Sequence, residues 1–389
     1  MTASGTRGRV LALDAGAAIV RGEHADVRVP AGSGWRPGDL VDGGHVVAAY
    51  RGTDYPTPAS EVWRLPRARM AALHDRARAL TALRTYFAVE QFTEVETPLL
   101  VPSPGLEIHL DAVAADGGYL ITSPEYQMKR LLAGGFERIF SVCKCFRAHE
   151  DGPHHASEFT MVEWYRAYAE LDAIVHDVEQ LVARVCGAVH GAMVARVAGR
   201  AIDVTPPWPR LGVRAAMARF AGVVVAGDEP AAELVATLRA VGFVLADDTA
   251  WDDAFFAAFL ARVEPAIAAL PHPLILEDWP VPLAALARTK PGEPAVALRF
   301  EAYVGGIELA NAFGELTDPV EQRARFVAEQ RTRAARGRPV YPIDERLLAA
   351  LAEGLPPSAG VALGFDRLVM LATGAEQIDR VLTFSAAER

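Results

Sequence analysis

The first fifty residues alternate short apolar runs with turn residues. The apolar or alternating runs are VLAL, AAIV, ADVRV and DLV, and glycine or proline interrupts them repeatedly between positions 22 and 38. Runs of this length, bounded by glycine and proline, predict β-strands joined by short turns. We therefore expect a small β-barrel-like domain over residues 1–53, followed by a proline-containing linker over 54–65.

Helical and strand patterns alternate over the remaining residues, 66–389. Leu73, Leu80, Leu83 and Phe87 form an apolar stripe that predicts a helix over about 66–92. EVETPLLVP predicts a strand, LITSPEYQMKRLLAGG a strand, turn and helix, and RIFSVCKCFRAHEDGPHHASEFTMVEWYRAYA two strands joined by a loop. GVALGFDRLVMLATGA predicts a glycine turn that leads into a helix. Together these elements predict an α+β fold, an antiparallel sheet flanked by helices.

Composition narrows the class of protein without giving its chemistry. The net charge of −10 is opposite to the basic footprint of a general nucleic-acid binder. No apolar run approaches the roughly 20 residues of a membrane span, and the N-terminus lacks the apolar core of a signal peptide, so we expect a cytoplasmic protein without a membrane partner. Of three cysteines, Cys143 and Cys145 alternate on a predicted strand and share one face, which is typical of small core residues.

Charged residues stand inside apolar surroundings in three segments. CFRAHE places Arg147 at the end of an apolar strand, RFEAYVGGIELANAFGELTD places Glu301, Glu308 and Glu315 seven residues apart, and GFDRLVM places Arg367 just after a glycine. Arginines grip phosphate oxygens, and paired carboxylates hold magnesium beside a nucleotide. Each feature alone is equally typical of a salt bridge, and neither a P-loop nor a G-x-G-x-x-G motif is present. Their joint occurrence predicts phosphoryl or nucleotidyl chemistry.

The same segments resemble, in order, the three motifs of class II aminoacyl-tRNA synthetases of the lysyl branch. EVETP resembles the first motif, FRAHEDGPHHASEFTMVEWY the second and GVALGFDRLVML the third. TSPEYQMKRLL, GIELANAFGELTD and RAARGRPVYPID further resemble the elongation factor P–(R)-β-lysine ligases, which are freestanding paralogs of lysyl-tRNA synthetases. The resemblance implies a homodimeric ligase that uses ATP and Mg²⁺ to activate a lysine-like amino acid. It also implies elongation factor P as the acceptor, because residues 1–53 are too few for a full anticodon-binding barrel.

The resemblance also implies roles for individual residues. Arg147 and Arg367 would be catalytic: Arg147 would hold the α-phosphate of ATP and the substrate carboxylate, and Arg367 would clamp the other end of the bent ATP. The other expected ATP-binding residues are His149, Glu150, His155, Phe159, Glu308, Leu309 and Gly364. The expected magnesium ligands are Glu301 and Glu308. The expected amino-acid-binding residues are Ser123, Pro124, Glu125, Glu163, Tyr165, Asn311, Glu315 and Ala362.

A lysine-like substrate gives this pocket a physical rationale. A buried ammonium needs a carboxylate and further acceptors, since leaving it unpaired costs several kcal/mol. Glu315 and Tyr165, with Glu163 nearby, would receive the distal ammonium, and Glu125 the amino group near the substrate carboxylate. Ala362 favours the β-lysine ligases, because lysyl-tRNA synthetases usually carry a smaller residue there.

The second motif departs from the family pattern in its loop. His149 stands where the family has a glutamate, although Glu150 follows, and Ala156 and Ser157 replace the usual Asn-Pro. Either Glu150 substitutes after a shift of one residue, or ATP binding is weakened, or the substrate has changed. Two alternative functions therefore stay open: a lysyl-type ligase that charges a tRNA or a carrier protein, and an inactive paralog that binds an amino acid or a nucleotide as a regulator.

Some conspicuous side chains also have a simpler structural explanation. Trp164 and Tyr168 lie in an apolar run, which is typical of core residues. The six arginines between Arg323 and Arg338 predict a solvated helix face balanced by acidic neighbours. The alternative is a docking surface for an acidic partner protein or a tRNA acceptor stem.

Overall fold

The computed structural model describes residues 5–56 and 67–388. The linker predicted over 54–65 therefore lies mostly outside the described residues. No helix within the described ranges is both long and apolar enough to cross a lipid bilayer.

Two compact units divide the chain: residues 1–77 with 379–389, and residues 78–378. The domain boundaries predicted from the sequence, after residue 53 and before residue 66, stay predictions. Each unit has its own sheet.

The first unit contains a five-stranded antiparallel sheet. Its strands are β1 (Arg7–Asp14), β2 (Ala17–Arg21), β3 (Asp26–Pro30), β4 (Leu40–Asp42) and β5 (His45–Ala48). They pair in the order β3-β2-β1-β4-β5, so β3 and β5 are the two edges and the hydrogen-bonded sheet is open over the described residues. Val10, Val20 and Trp35 fill its core. Trp35 is only 4% exposed, so its ring is not available for a nucleic-acid base to stack on.

The second unit is built on a nine-stranded mixed sheet with helices packed against it. The strands of this unit, in all its sheets, are β6 (Thr93–Glu94), β7 (Leu100–Val101), β8 (Ala114–Ala115), β9 (Gly118–Leu120), β10 (Arg138–Phe146), β11 (Glu158–Ala167), β12 (Val194–Val197), β13 (Arg200–Asp203), β14 (Arg210–Gly212), β15 (Leu274–Pro280), β16 (Thr289–Lys290), β17 (Glu293–Val304), β18 (Ile307–Gly314) and β19 (Ser358–Gly364). The main sheet has the order β14-β15-β17-β18-β19-β11-β10-β6, with β16 paired to β17. Its central pairs are antiparallel, which confirms the predicted fold class.

Helices form at the predicted positions near residues 66–92, after Pro124 and after Gly364, and also elsewhere in the chain. They are α1 (Arg67–Val89), α2 (Glu125–Ala133), α3 (Leu171–His190), α4 (Val213–Ala216), α5 (Ala231–Ala240), α6 (Trp251–Ala258), α7 (Glu264–Ala268), α8 (Pro319–Ala335), α9 (Glu345–Gly354) and α10 (Phe365–Thr373). The Asp318 side chain caps α8 by accepting from two backbone N–H groups, and proline stands at its first position. Gly374, with a φ of 76°, ends α10 in the left-handed conformation that glycine favours.

Two strand predictions in the second unit need correction. The glycine turn predicted at GVALG is instead part of β19, a central strand between β18 and β11. A Cβ on Gly360 would lie 2.2 Å from the Tyr165 ring, so this glycine serves close packing instead of a turn. The single strand predicted at EVETPLLVP is instead two short strands, because Thr93–Glu94 pairs with β10 and Leu100–Val101 pairs with β9 in a separate sheet.

The packing of the remaining conspicuous side chains was predicted only in part. Trp164 is fully buried, as expected, but Tyr168 is 73% exposed, so its assignment to the core is wrong. A solvated face for the arginines of α8 is also wrong at Arg333, whose side chain is 0% exposed. Its guanidinium donates to the carbonyls of Glu107 (2.7 Å) and Leu110 (2.8 Å). Because that loop lacks strand partners for these carbonyls, the arginine satisfies them instead.

Candidate active site

A cleft of about 930 Å³, counted to its open mouth, lies over β11, β18 and β19. It is lined by twelve of the residues predicted from the sequence: Ser123, Glu125, Arg147, Glu150, His155, Phe159, Glu308, Leu309, Asn311, Ala362, Gly364 and Arg367. The fold therefore gathers segments that are far apart in the chain around one space.

Arg147 enters the cleft at the end of β10. Its guanidinium lies 5.1 Å from the centre of the Phe159 ring, and Nη1 lies 3.8 Å from Glu150 Oε2. Its Nε is buried, and no described residue accepts a hydrogen bond from it. A buried donor without a partner is costly unless a ligand or water supplies the acceptor. Arg147 therefore keeps donor capacity for an anionic ligand.

Arg367 approaches the same space from the first turn of α10. It donates to the carbonyl oxygen of Glu308 at 2.7 Å and to that of His154 at 3.2 Å. Its Nη2 lies 2.6 Å from His155 Nε2. Since a guanidinium only donates, His155 Nε2 must accept, which requires a neutral imidazole. Partial burial, together with the charge of Arg367, lowers the pKa of His155 and favours that form.

The loop of the second motif presents Glu150, and not His149, to the cleft. His149 has a φ of 63° and is exposed, and it does not line the cleft. Gly152 and His155 close the loop by exchanging two backbone hydrogen bonds of 3.1 and 3.2 Å. The left-handed residue turns the chain between Arg147 and Glu150, so the acidic side chain faces the cleft one position later than in the family pattern.

A buried lysine joins two of the predicted pocket carboxylates. Lys129 is 1% exposed, and its Nζ lies 2.5 Å from Glu125 Oε1 and 2.6 Å from Glu315 Oε2. Burial alone would lower the pKa of Lys129, but the two carboxylates outweigh it and the pKa is raised. Glu315 is thus already paired with a cation of the protein and lies behind the lining residues.

Glu163 is the third carboxylate at this end of the cleft. It is 1% exposed and accepts hydrogen bonds from Ser123 Oγ at 2.5 Å and Tyr165 Oη at 2.6 Å. No described cationic side chain lies within 4.0 Å of it. Burial, followed by the charge of Glu125, raises its pKa well above the usual range. Like Glu315, Glu163 and Tyr165 lie behind the lining, and Pro124 immediately precedes α2.

The two predicted magnesium ligands differ in their surroundings. Glu308 lines the cleft, whereas Glu301 is 5% exposed and accepts from Arg299 Nη2 at 2.5 Å and Tyr303 Oη at 2.6 Å. Burial raises the pKa of Glu301 to about 7, and the charge of Glu308 adds to the effect. Two carboxylates that repel each other beside a cleft fit a divalent cation, because the cation offsets both charges.

Sequence reasoning missed several residues of the site. Lys129 follows Glu125 by four positions, so a lysine on the same face of α2 was a usable signal. Asp366 is buried and accepts from the Thr160 N–H at 2.7 Å, which ties β11 to the start of α10. Glu107 and Met161 also line the cleft, and neither has a sequence signal, because the loop and the strand face that place them become known only in the fold.

Comparison with known proteins identifies one family over most of the chain. The family model for tRNA synthetases class II (D, K and N) matches residues 62–388. The elongation factor P–(R)-β-lysine ligase of Erwinia tasmaniensis is 38% identical over 332 residues, which cover 82% of this chain and 96% of that protein. The protein of the same name from Pectobacterium carotovorum subsp. carotovorum is 40% identical with the same coverage. A lysine–tRNA ligase of Dehalococcoides mccartyi is 37% identical over 323 residues, covering 80% of this chain and 63% of that protein.

The family match extends over most of the chain, and the relatives are well above 30% identity. The second and third sequence motifs contribute Arg147, Phe159 and Arg367 to one cleft, on an antiparallel sheet of the expected class. The chain is an ATP-dependent amino acid ligase by family, and it belongs to the class II tRNA synthetases of the D, K and N group.

Proposed function

We propose that the protein activates (R)-β-lysine, or a close lysine-like relative, as an aminoacyl-adenylate and transfers it to a lysine ε-amine of elongation factor P. The observation that carries this proposal is one cleft with two chemically different ends. Arg147 and Arg367 line one end and are cationic, whereas Glu125 lines the other end, with Glu163 behind the lining and hydrogen-bonded to Ser123. An amino acid with ammonium groups, whose carboxylate becomes joined to a phosphate on activation, matches both ends of the cleft.

In the first step, the substrate carboxylate attacks the α-phosphorus of ATP and pyrophosphate leaves. The arginines offset charge that builds up in the transition state, which is the largest contribution that preorganised sites usually make. The unpartnered Nε of Arg147 supports this role, and Phe159, which lines the cleft, would stack under adenine. Glu150 would act in place of the glutamate that the family carries at the position of His149.

Magnesium would be held by Glu308 and Glu301. When bound, it neutralises phosphate charge and the mutual repulsion of these two carboxylates. Arg299 orients Glu301 and Asn311, because it donates hydrogen bonds to Glu301 Oε1 and Asn311 Oδ1. Asn311 is thereby held with its amide N–H₂ free to meet the substrate carboxylate.

The charges of the buried end support a substrate with two ammonium groups. Glu125, Glu163 and Glu315 are three carboxyl groups, and Lys129 is paired with Glu125 and Glu315. An incoming diamino acid would bring two ammonium groups, and each would hold one further carboxyl group in its charged form. Glu163 would receive the distal ammonium, because it lacks a cationic partner among the described side chains, and Glu125 the proximal one. Ala362 stands directly across from Glu163 and from Asn311 on the two neighbouring strands, so its methyl group would touch the carbon chain.

In the second step, a lysine ε-amine of the acceptor attacks the adenylate carbonyl and AMP leaves. The relatives named as elongation factor P ligases support that protein as the acceptor, since the match spans 96% of their length. The lysine–tRNA ligase match supports tRNA charging as the second candidate function. Assembly as a homodimer and a cytoplasmic location stay predictions.

The test is transfer with purified components. The protein is incubated with ATP, Mg²⁺ and (R)-β-lysine, together with elongation factor P or with lysine tRNA, and the acceptors are examined by intact mass spectrometry and acid gel. We expect elongation factor P to gain the mass of one β-lysyl group and the tRNA to stay uncharged. Charging of the tRNA with no change in elongation factor P would favour the second candidate.

A further inference from the structure

Three sulfur atoms meet on the cleft side of β10 and β11, and the adenylation chemistry uses none of them. Cys143 Sγ lies 3.9 Å from Cys145 Sγ, and Cys145 Sγ lies 3.9 Å from Met161 Sδ. Cys143 and Met161 are direct cross-strand partners. All three side chains therefore leave the sheet on the same face, and they form a cluster of two thiols and one thioether.

We propose that Cys143, Cys145 and Met161 form a binding site for one soft monovalent metal ion, with Cu(I) as the biological member of that class. Thiolate and thioether sulfurs are the ligands that Cu(I) prefers. This site is separate from the magnesium-binding carboxylates, which offer only oxygen, and it does not depend on the proposed ligase activity.

The spacing of the sulfurs suits a metal better than a disulfide. With metal–sulfur bonds of about 2.3 Å, sulfurs 3.9 Å apart subtend an angle of about 116° at the metal, near the value of a trigonal site. A disulfide would require the two cysteine sulfurs to approach to about 2.05 Å, and residues two apart on one face of a strand resist that approach. A structural zinc site would need four ligands. Within the described residues, no histidine, aspartate, glutamate or further cysteine completes a group of three around these thiols.

The surroundings favour a weakly hydrated cation. Cys145 is fully buried, and Val101 and Ile121 complete an apolar shell around it and Met161. Cys143 is only partly buried, which leaves a path for the ion.

Binding leaves the oxidation state of copper unchanged. Each thiol loses its proton to water as its sulfur bonds to the metal, so two protons are released per ion, and Met161 contributes a neutral lone pair. Met161 also lines the cleft. A bound ion would therefore fix the side chain that forms part of the cleft wall, beside Phe159.

The test is competition for Cu(I) between the full chain and the chromophoric chelator bicinchoninate without oxygen. We expect the wild-type protein to remove one Cu(I) per chain. Cys143→Ala and Cys145→Ala should each weaken binding at least about 100-fold, and Met161→Leu about 10-fold, because losing a ligand costs at least as much as losing its supporting contacts. Cys186→Ala is the matched control, since Cys186 is buried in α3 away from the cluster.

X-ray absorption of the copper-loaded wild-type protein provides a readout that needs no variant. Three sulfur neighbours at about 2.3 Å are expected. Failure of the wild-type protein to take copper from the chelator would overturn the proposal. So would equal copper binding by the Cys143→Ala and Cys145→Ala variants, loss of binding in Cys186→Ala, or a copper shell made of nitrogen and oxygen.

Discussion

The two ends of the cleft carry their charges in opposite ways. Arg147 and Arg367 are partly exposed, and Arg147 keeps a buried donor without a protein acceptor. Lys129, Glu163 and Glu315 are each 1% exposed, and their charges are offset or hydrogen-bonded inside the protein. The open end can hold its charges at little cost to folding, because water screens them. The buried end must be balanced before a ligand arrives, so its residues determine both stability and substrate choice.

Removing Arg147 should have the largest effect on catalysis and almost none on folding. Arg147→Ala should reduce amino-acid activation by about 10²–10³-fold, as expected for a lost transition-state donor. Its free energy of unfolding in urea should stay within about 1 kcal/mol of the wild-type value. Arg138→Ala is the matched control, because Arg138 begins the same strand but is exposed and donates only to the Glu90 carbonyl. A large loss of stability in Arg147→Ala would remove the contrast between the two ends.

Removing Lys129, unlike removing Arg147, should lower the free energy of unfolding strongly. Lys129→Met leaves Glu125 and Glu315 buried without their cation, and breaking such a buried pair costs about 3–5 kcal/mol of unfolding free energy. Adding Glu315→Gln should restore part of the loss, because one buried carboxylate is then neutral. Lys290→Met is the control, since the Lys290 side chain is 32% exposed and its ion pairs lie near the surface. If Lys129→Met and Lys290→Met are equally stable, the buried balance of charges is not needed for folding.

Glu163 tests the specificity of the buried end. Glu163→Gln should weaken binding of (R)-β-lysine about 30-fold, since a neutral amide cannot offset a buried ammonium. Binding of ATP should not change. Isothermal titration with each ligand separates the two effects, and Glu170→Gln, at a side chain that is 76% exposed, serves as the control. Equal affinity of Glu163→Gln and wild type for (R)-β-lysine would assign the distal ammonium to another residue.

Magnesium affinity should depend on pH through Glu301. Its pKa is raised to about 7, so the carboxyl binds a proton below that pH and magnesium must displace it. The magnesium concentration for half-maximal activation should therefore rise about 10-fold per pH unit below 7 and level off above it. Glu301→Gln should have weak affinity at every pH and lose this dependence. A constant wild-type affinity between pH 6 and 8 would contradict the pairing of Glu301 with Glu308 at the metal.

Ala362 should give the smallest effect. Ala362→Gly removes one methyl group from the floor between Glu163 and Asn311, and a single carbon is worth about 1 kcal/mol in a pocket. The ratio of activation rates for (R)-β-lysine and α-lysine should shift several-fold towards α-lysine. Ala359→Gly changes the same strand at a fully buried position that does not line the cleft, so the ratio should stay constant. A shift that appears in both variants would reflect a looser β19 instead of a reshaped pocket.

Much of the open end could be predicted from the sequence, but the buried end only in part. Arg147, Phe159 and Arg367 stand in motifs whose spacing and residue types indicate nucleotide chemistry, and all three line the cleft. The pairing of Glu315 with Lys129 could not be predicted, because it joins α2 to the end of β18 across the fold. The strand at GVALG was missed for a similar reason, since glycine there permits contact with Tyr165, which lies far away in sequence.

The sequence also does not determine which side chain of the second motif faces the cleft. The sequence leaves open whether Glu150 substitutes for the glutamate that His149 replaces. That choice depends on the left-handed backbone at His149, which a non-glycine residue adopts only when its surroundings impose it. Local patterns therefore identify the candidate residues, whereas backbone geometry decides which of them reaches the cleft.

The most direct test of the account is pyrophosphate exchange into ATP, measured for (R)-β-lysine, α-lysine, ornithine and neutral amino acids. Exchange should require an amino acid with two ammonium groups and be fastest with (R)-β-lysine, because Glu163 and Glu125 would each meet one ammonium. Exchange that is faster with neutral amino acids would contradict that assignment. No exchange with any amino acid, in a folded protein, would contradict the ligase function itself.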